Sequence, residues 1–307
     1  MQTAINAPGL TTARAPFIDE ARASGELFVH QPYELYSSTN HRTWAELHRR
    51  LLPRWKRYSN KKFLEGVDRL ALDPDHVPRF EDVNRFLSPL SGFVAKPVSG
   101  YVPAYLFFDC LRRREFPTTI TIRDFSCLDY LPEPDIFHDL AGHVPMHTDR
   151  LFSDVLVRFG EVAHTAARLS SGRGQDSGSL RELEGIIRAL ARFFWFTVEF
   201  GLMRGDEGRL EAYGSGLLSS YEEIATSIES PAVQRHPFRL EWVINQGFAI
   251  DRVQPLLFVV ESFEHLYFEV DRLEEWMLEG RLGNVAVGEP VVGEADLHSF
   301  LEAGRAD

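Results

Sequence analysis

The chain has 307 residues, 44% of them hydrophobic, and a formal net charge of −12. That content suits a sizeable core, while the acidic balance argues against nucleic acid as a partner. No apolar run approaches the roughly 20 residues that span a bilayer, no secretory signal opens the chain, and Cys110 and Cys127 are the only cysteines, so a cytoplasmic protein without a membrane partner is expected.

Residues 1–25 are rich in small polar groups without a sustained period and read as a mobile N-terminal segment. Trp44, Leu47, Leu51 and Trp55 recur at spacings of three and four, predicting a helix over 43–57 that Pro53 ends or kinks. Phe63, Val67 and Leu70 repeat the pattern over 60–72, and a third helix covers 80–87. Residues 97–103 read as a loop, 104–113 as a helix, and the β-branched run 118–122 as a strand. A short helix over 135–141 follows, favoured at its start by prolines and Asp135 and stopped by Gly142. Residues 151–169 read as helix, 170–179 as a Ser/Gly-rich surface loop, 180–203 as the most apolar helix, and 217–227 as helix after a turn at 212–216. A strand at 256–261 and an amphipathic helix at 263–277 complete the pattern. The fold class is mainly α with a few short strands. With no central linker, one catalytic domain is expected over 26–285, with a C-terminal tail at 286–307.

His138 and His143 carry the sharpest signal. Residues five apart sit roughly 140° apart around an ideal helix, so the two can share an ion only if the helix ends between them, a break that Gly142 supplies. Taken alone, the pair reads more readily as a core histidine and a partner of the helix C-terminus than as metal ligands. Glu199 is a lone acid in the aromatic run 193–200. A buried carboxylate needs a partner: an arginine such as Arg192 or Arg204 would serve, and so would a metal. Together with the histidines, Glu199 completes a two-histidine, one-carboxylate face that suits non-haem Fe(II) and oxygen chemistry. Zinc in a hydrolase is the rival, although the usual His-Glu-x-x-His arrangement is missing.

Asp129-Tyr130-Leu131-Pro132-Glu133-Pro134-Asp135, followed by His138-Asp139-Leu140-Ala141-Gly142-His143-Val144-Pro145, is very similar to the iron-ligand segment of the tetrahydropterin-dependent aromatic amino acid hydroxylases. Residues 195–202, Trp-Phe-Thr-Val-Glu-Phe-Gly-Leu, resemble that family's second signature, and 212–220 its third. The resemblance runs from about residue 28 to 270. It implies a single helical catalytic domain with a deep iron cleft. The activity implied is ring hydroxylation of a free aromatic amino acid, L-phenylalanine to tyrosine first, by Fe(II), O₂ and tetrahydrobiopterin or a related reduced pterin. Tryptophan hydroxylation and meta-hydroxylation of phenylalanine are the alternatives within the family; a zinc-dependent hydrolase and a non-catalytic iron-binding protein are those outside it. The absence of animal-type regulatory and coiled-coil extensions implies a monomer.

Position by position, the resemblance implies that His138, His143 and Glu199 hold the iron. It implies that Arg123 holds the substrate carboxylate with support from Ser219, and that Pro134, Trp195 and Phe200 wall the substrate ring, with Gly216 also in the substrate site. On the pterin side it implies stacking on Phe107, a loop at Gly100 and Tyr101, and Asp139 and Ala191 nearby. Three departures stand out: Phe194 where relatives carry Tyr, the small Ala141 between the histidines, and a longer gap between His143 and Glu199, assigned to 170–185.

Overall fold

The structure is a computed structural model that describes residues 10–11, 26–98, 100, 102–129, 134–171, 177–250 and 252–306. Helix α1 (Ser38–Tyr58) opens on a capping box in which Ser37 Oγ accepts from Asn40 N and the Asn40 side chain accepts from Ser37 N. It buries Trp44, Leu47, Leu51 and Trp55, as their spacing requires, and runs on through exposed Pro53. The predicted end there does not occur; on the solvent side, water can take up the carbonyl that the proline leaves without a donor. Helices α2 (Lys61–Leu70) and α3 (Phe80–Ser91) follow, then strand β1 (Val94–Val98), helix α4 (Ala104–Arg112) and strand β2 (Glu115–Thr119). The two strands pair in parallel, Val94 against Glu115 through Val98 against Thr119. That register, and not the β-branched run, sets β2, so the strand expected at 118–122 begins earlier. Ile120 and Ile122 enter the core beyond it.

After a π turn at His138–His143 come the long helices α5 (Arg150–Ser171) and α6 (Ser177–Phe194). The predicted loop at 170–179 therefore shrinks. Residues 172–176 lie outside the described ones, and the rest of the 170–185 stretch is helical. The single helix expected over 180–203 resolves into α6, a second π turn at Trp195–Glu199 and strand β3 (Leu202–Arg204). Strand β4 (Leu210–Ala212), helices α7 (Ser215–Leu218) and α8 (Glu223–Glu229), strand β5 (Gln234–Pro237), helix α9 (Leu240–Asn245) and strand β6 (Leu256–Val260) come next. Helices α10 (Phe263–Leu278) and α11 (Glu294–Ala306) end the chain. The four-stranded sheet has the order β4-β3-β6-β5, antiparallel between β3 and β4 and parallel elsewhere.

The core gathers around α5, which packs against α4, α10 and α11. Its inward residues Phe152, Leu156, Phe159 and Ala163 are sealed from solvent. The segment 286–307, expected as a tail, carries α11: Phe300 is fully buried, edge-on to Tyr105 at 5.2 Å between ring centroids. Leu297, Phe300 and Leu301 supply its apolar face, too short a run to show as a heptad. Of the expected mobile segment 1–25, all but Leu10 and Thr11 lie outside the described residues. Leu10 is buried, donates to Asn40 Oδ1 at 3.1 Å and accepts from Ile122 N. Among the described residues, no helix is long and apolar enough to cross a membrane.

Candidate active site

The expected helix break between the histidines is not what aligns them. The chain stays helical through Gly142, but its turn widens, with Val144 N donating to Asp139 O at 3.2 Å. In this i→i+5 pattern a residue five along returns to nearly the same face, which a 3.6-residue turn forbids. His138 and His143 thereby point the same way. Asp135 starts the segment, accepting from His138 N at 2.9 Å through Oδ1. A side chain at Gly142 would sit 3.0 Å from Ser215 O and 3.2 Å from Ser219 Cβ, so its absence lets α7 close on the turn. Glu199 ends the second π turn, where Phe200 N donates to Trp195 O at 2.8 Å.

The three side chains converge. His143 Nε2 lies 3.1 Å from both His138 Nε2 and Glu199 Oε1, and His138 Nε2 lies 3.5 Å from Glu199 Oε2. Imidazole nitrogens bind such divalent ions at about 2.0–2.1 Å, so ligands at right angles come to lie about 3 Å apart. The spacing therefore fits one ion with three neighbouring positions filled and others open. Ligand atoms of His138, His143 and Asp139 also lie within 4.8 Å of one another, which makes Asp139 a rival carboxylate. Glu199 fits better: it is closer to both nitrogens, whereas Asp139 Oδ2 already accepts from Thr119 N at 2.7 Å and Thr119 Oγ1 at 2.9 Å. Neither arginine considered as a partner for Glu199 reaches it. Arg192 donates to the carbonyls of Glu289, Ile244 and Ala286, and Arg204 to that of Gly208.

The electrostatics agree with a neutral, metal-ready ring at His138. Burial lowers the pKa of His138 to about 4, against the opposing pull of Glu199. Burial would raise Glu199, but His143, His138 and the Ser215 hydroxyl outweigh it and bring the carboxyl to about 2. Burial raises Asp139 to about 7. Outside the ion position, His138 Nδ1 sits 2.8 Å from Ser219 Oγ. With Nε2 turned to an ion, Nδ1 would carry the proton and donate to Ser219, fixing tautomer and ring orientation. Ser215 Oγ lies 2.8 Å from His143 Nε2 and donates to Glu199 Oε2 at 2.7 Å. Sequence reasoning gave Ser215 no role; its place in the glycine-serine run of the third motif was the available signal.

A cavity of about 220 Å³ opens beside this cluster. Arg123, Pro134, Trp195, Phe200, Gly216 and Ser219, the six residues expected around the substrate, all line it together with His138 and Glu199. Asp129, Ser220, Glu223, Ile250, Arg252 and Gln254 line it as well and had not been singled out. Trp195 is stacked flat on Phe248, centroids 4.1 Å apart and planes 7° apart, and tilted against Phe200 at 4.6 Å. Its indole is thus clamped as a wall.

Arg123 differs from expectation in how its donors are used. Nε and Nη2 fork onto Asp135 at 2.8 and 2.9 Å, and Nη1 donates to Leu128 O at 3.1 Å. Of the five guanidinium N–H groups two remain, one on each terminal nitrogen. The side-on fork belongs to Asp135, so a substrate carboxylate would take the end-on pair. The partner was missed because Asp135 reads in sequence only as a helix-start acid.

The pterin-side residues are less gathered. Phe107 is half-buried, edge-on to Phe194 at 5.4 Å and to Phe116 at 6.4 Å, and Phe116 lies 4.8 Å from His143. Phe194, lacking the expected hydroxyl, is part of this aromatic packing, and Ala141 is buried. Gly100 follows β1 at a φ of 155°, and Ala191 is half-buried on α6. Tyr101 lies outside the described residues.

Residues 29–277 match the family described as biopterin-dependent aromatic amino acid hydroxylases. The chain is 35% identical over 260 residues to the phenylalanine-4-hydroxylase of Chromobacterium violaceum, covering 85% of this chain and 82% of that protein. It is 36% identical over 278 residues to the phenylalanine-4-hydroxylase of Caulobacter vibrioides, covering 90% and 89%. The crystal structure of the Chromobacterium violaceum phenylalanine hydroxylase with bound iron(III) and 7,8-dihydrobiopterin is similar with a TM-score of 0.73 at 32% identity, covering 87% of this chain and 93% of that one.

Proposed function

The chain belongs to the biopterin-dependent aromatic amino acid hydroxylases, and from that premise we infer that it converts free L-phenylalanine to tyrosine, using Fe(II), a tetrahydropterin and O₂. The observation that carries the reading is the meeting of His138, His143 and Glu199 at a cavity that also holds Arg123 and the Trp195 wall. His138, His143 and Glu199 are the proposed iron ligands. Together the metal and the reduced pterin supply the electrons and the oxygen activation that no side chain offers.

The chain's own residues bind, orient and exclude water. Arg123, braced by Asp135, presents its end-on pair to the substrate carboxylate. Ser219 accepts from His138 Nδ1, which frees its own hydroxyl proton for that carboxylate and links substrate placement to a ligand ring. Trp195, Phe200 and Pro134 hold the phenyl ring, and their apolar faces keep water from the reacting carbon. Gly216 leaves room beside them. On the other side Phe107 offers the pterin a stacking face, with Gly100, Asp139 and Ala191 around it. Family membership leaves the zinc-hydrolase and passive iron-binding readings without support. A monomer in a reducing cytoplasm completes the proposal; Cys110 and Cys127 form no disulfide, in keeping with that compartment.

The test is product analysis by mass spectrometry and NMR after the iron-loaded enzyme meets phenylalanine, tyrosine and tryptophan with reduced pterin. Pterin-dependent formation of tyrosine from phenylalanine is expected. A meta-hydroxylated product, or hydroxytryptophan as the main one, would move the assignment within the family; no pterin-dependent hydroxylation would overturn it.

A further inference from the structure

A free amino acid brings two charges into the cavity, a carboxylate and an ammonium on one carbon. Both lose water on entry, and each needs a partner. Arg123 answers the carboxylate. The acids around the cavity differ in what they already hold. Glu199 faces the two histidines. Asp135, behind Arg123, is spent on that guanidinium. Asp129 is exposed and pairs with Arg50 at 2.7 Å. Glu223 alone is both buried, at 5% exposure, and without a cation among the described residues: the influences on it are burial, the Ser220 hydroxyl and the like charge of Glu222.

Glu223 is also held in place. It is the first residue of α8, its backbone N–H donates to Ser220 Oγ at 3.3 Å, and Ser219, Ser220 and Glu223 line the cavity from one turn of chain. An acid at a helix start is ordinary as a partner of the helix dipole, but that role is served in solvent and does not call for burial against a ligand cavity. Burial pushes this carboxyl up to about 7, a penalty that an ammonium beside it would offset.

We propose that Glu223 receives the α-ammonium group of the substrate, in the cavity it shares with Arg123, and so restricts the site to free α-amino acids. This rests on the reading of the cavity as the amino acid site. The pair makes recognition of the backbone independent of the ring, leaving Trp195 and Phe200 to choose the side chain.

The experiment is calorimetric binding of L-phenylalanine and of 3-phenylpropanoate, which lacks the amino group, to the iron-loaded protein. Wild type should bind L-phenylalanine more tightly by about ten-fold or more, the scale of a charge-assisted contact. E223Q should weaken L-phenylalanine by about ten- to a hundred-fold and leave 3-phenylpropanoate unchanged, and E223D should keep part of the discrimination. Equal affinities in wild type overturn the proposal without any variant, and so does an equal loss of both ligands in E223Q or no loss of either. If wild type binds L-phenylalanine in this selective way yet forms no hydroxylated product, the assigned reaction fails while the role of Glu223 stands. No binding of L-phenylalanine to wild type overturns both.

Discussion

Replacing Asp135 by Asn tests whether the buried Arg123–Asp135 pair organises the site. Asp135 is fully buried and accepts four hydrogen bonds: Arg123 N and Nε on Oδ2, and Arg123 Nη2 and His138 N on Oδ1, all at 2.8–2.9 Å. Asn has one acceptor oxygen. Whichever way its amide turns, an NH₂ group meets two N–H donors, and Arg123, 4% exposed, is left with its charge uncompensated. Breaking a buried pair by removing one partner costs about 3–5 kcal/mol, a fifth or more of the roughly 5–15 kcal/mol that holds a typical domain together. The pH dependence has a definite sign. Burial opposes ionisation of Asp135, but Arg123 and the N–H groups of His138 and Arg123 outweigh it and hold the carboxyl below its usual range. A lowered folded pKa means stability that is present above about pH 4 and is lost as the pH falls through the folded value. Urea unfolding of wild type and Asp135→Asn, run between pH 3 and pH 8, should give a constant gap at neutral pH that closes in acid. A loss under about 1 kcal/mol at pH 7, the worth of an ordinary exposed pair, would refute the reasoning, as would a gap unchanged in acid.

Other outcomes follow from the same geometry. His138→Ala, His143→Ala and Glu199→Ala should each lose bound iron, measured by elemental analysis, while circular dichroism stays that of wild type; full iron occupancy removes a residue from the ligand set. Trp195→Phe thins the wall clamped between Phe248 and Phe200. It should shift the kcat/KM ratio toward tryptophan by an amount within the roughly 1–3 kcal/mol that size discrimination in an apolar pocket commands; an unchanged ratio in competition assays denies that Trp195 gates by size. Glu223 titrates with the opposite sign to Asp135. Its carboxyl is raised to about 7, so wild type loses stability as the pH climbs from the ordinary carboxylate range through that value. The substrate-free E223Q protein should therefore melt at a higher temperature than wild type at pH 8 and alongside it at pH 5, and equal melting temperatures at pH 8 would count against a buried, unpartnered acid.

Much of this was legible along the chain, for reasons that differ by element. Helices α1, α5 and α10 show because an apolar face recurs at the helical period over several turns, a pattern that survives any tertiary context. Strands β3 and β4 are three residues each, and β5 holds Arg235, His236 and Pro237. Pairing with their neighbours makes them strands, and no local preference announces that. The residues nearest the ion carried long motifs and were found. Glu223, Arg252 and Gln254 lie on segments without a motif and reach the cavity only because α8 and the stretch before β6 fold back over it. The spacing of five between the histidines was in plain view, yet the wide turn that makes it useful depends on Asp135 at its start and α7 against Gly142, both set by packing far along the chain.

The two wide turns tie the ligand set to the length of the chain around it. A π turn is an α-helix carrying one residue too many. Removing a single residue between Asp139 and Gly142 would let the backbone relax into ordinary α-helix, which by itself is the easier conformation. The histidines would then stand four apart, a spacing that an α-helix also brings to one face, but the link from the turn to α5 would be one residue short. One residue lost between Trp195 and Glu199 would likewise shorten the link from α6 to strand β3. Substitutions at Ala141 or Val198 change one contact; deletions there change the length of a link between elements that pack separately. Lineages of this chain should accordingly vary in residue type within these turns while holding their length constant.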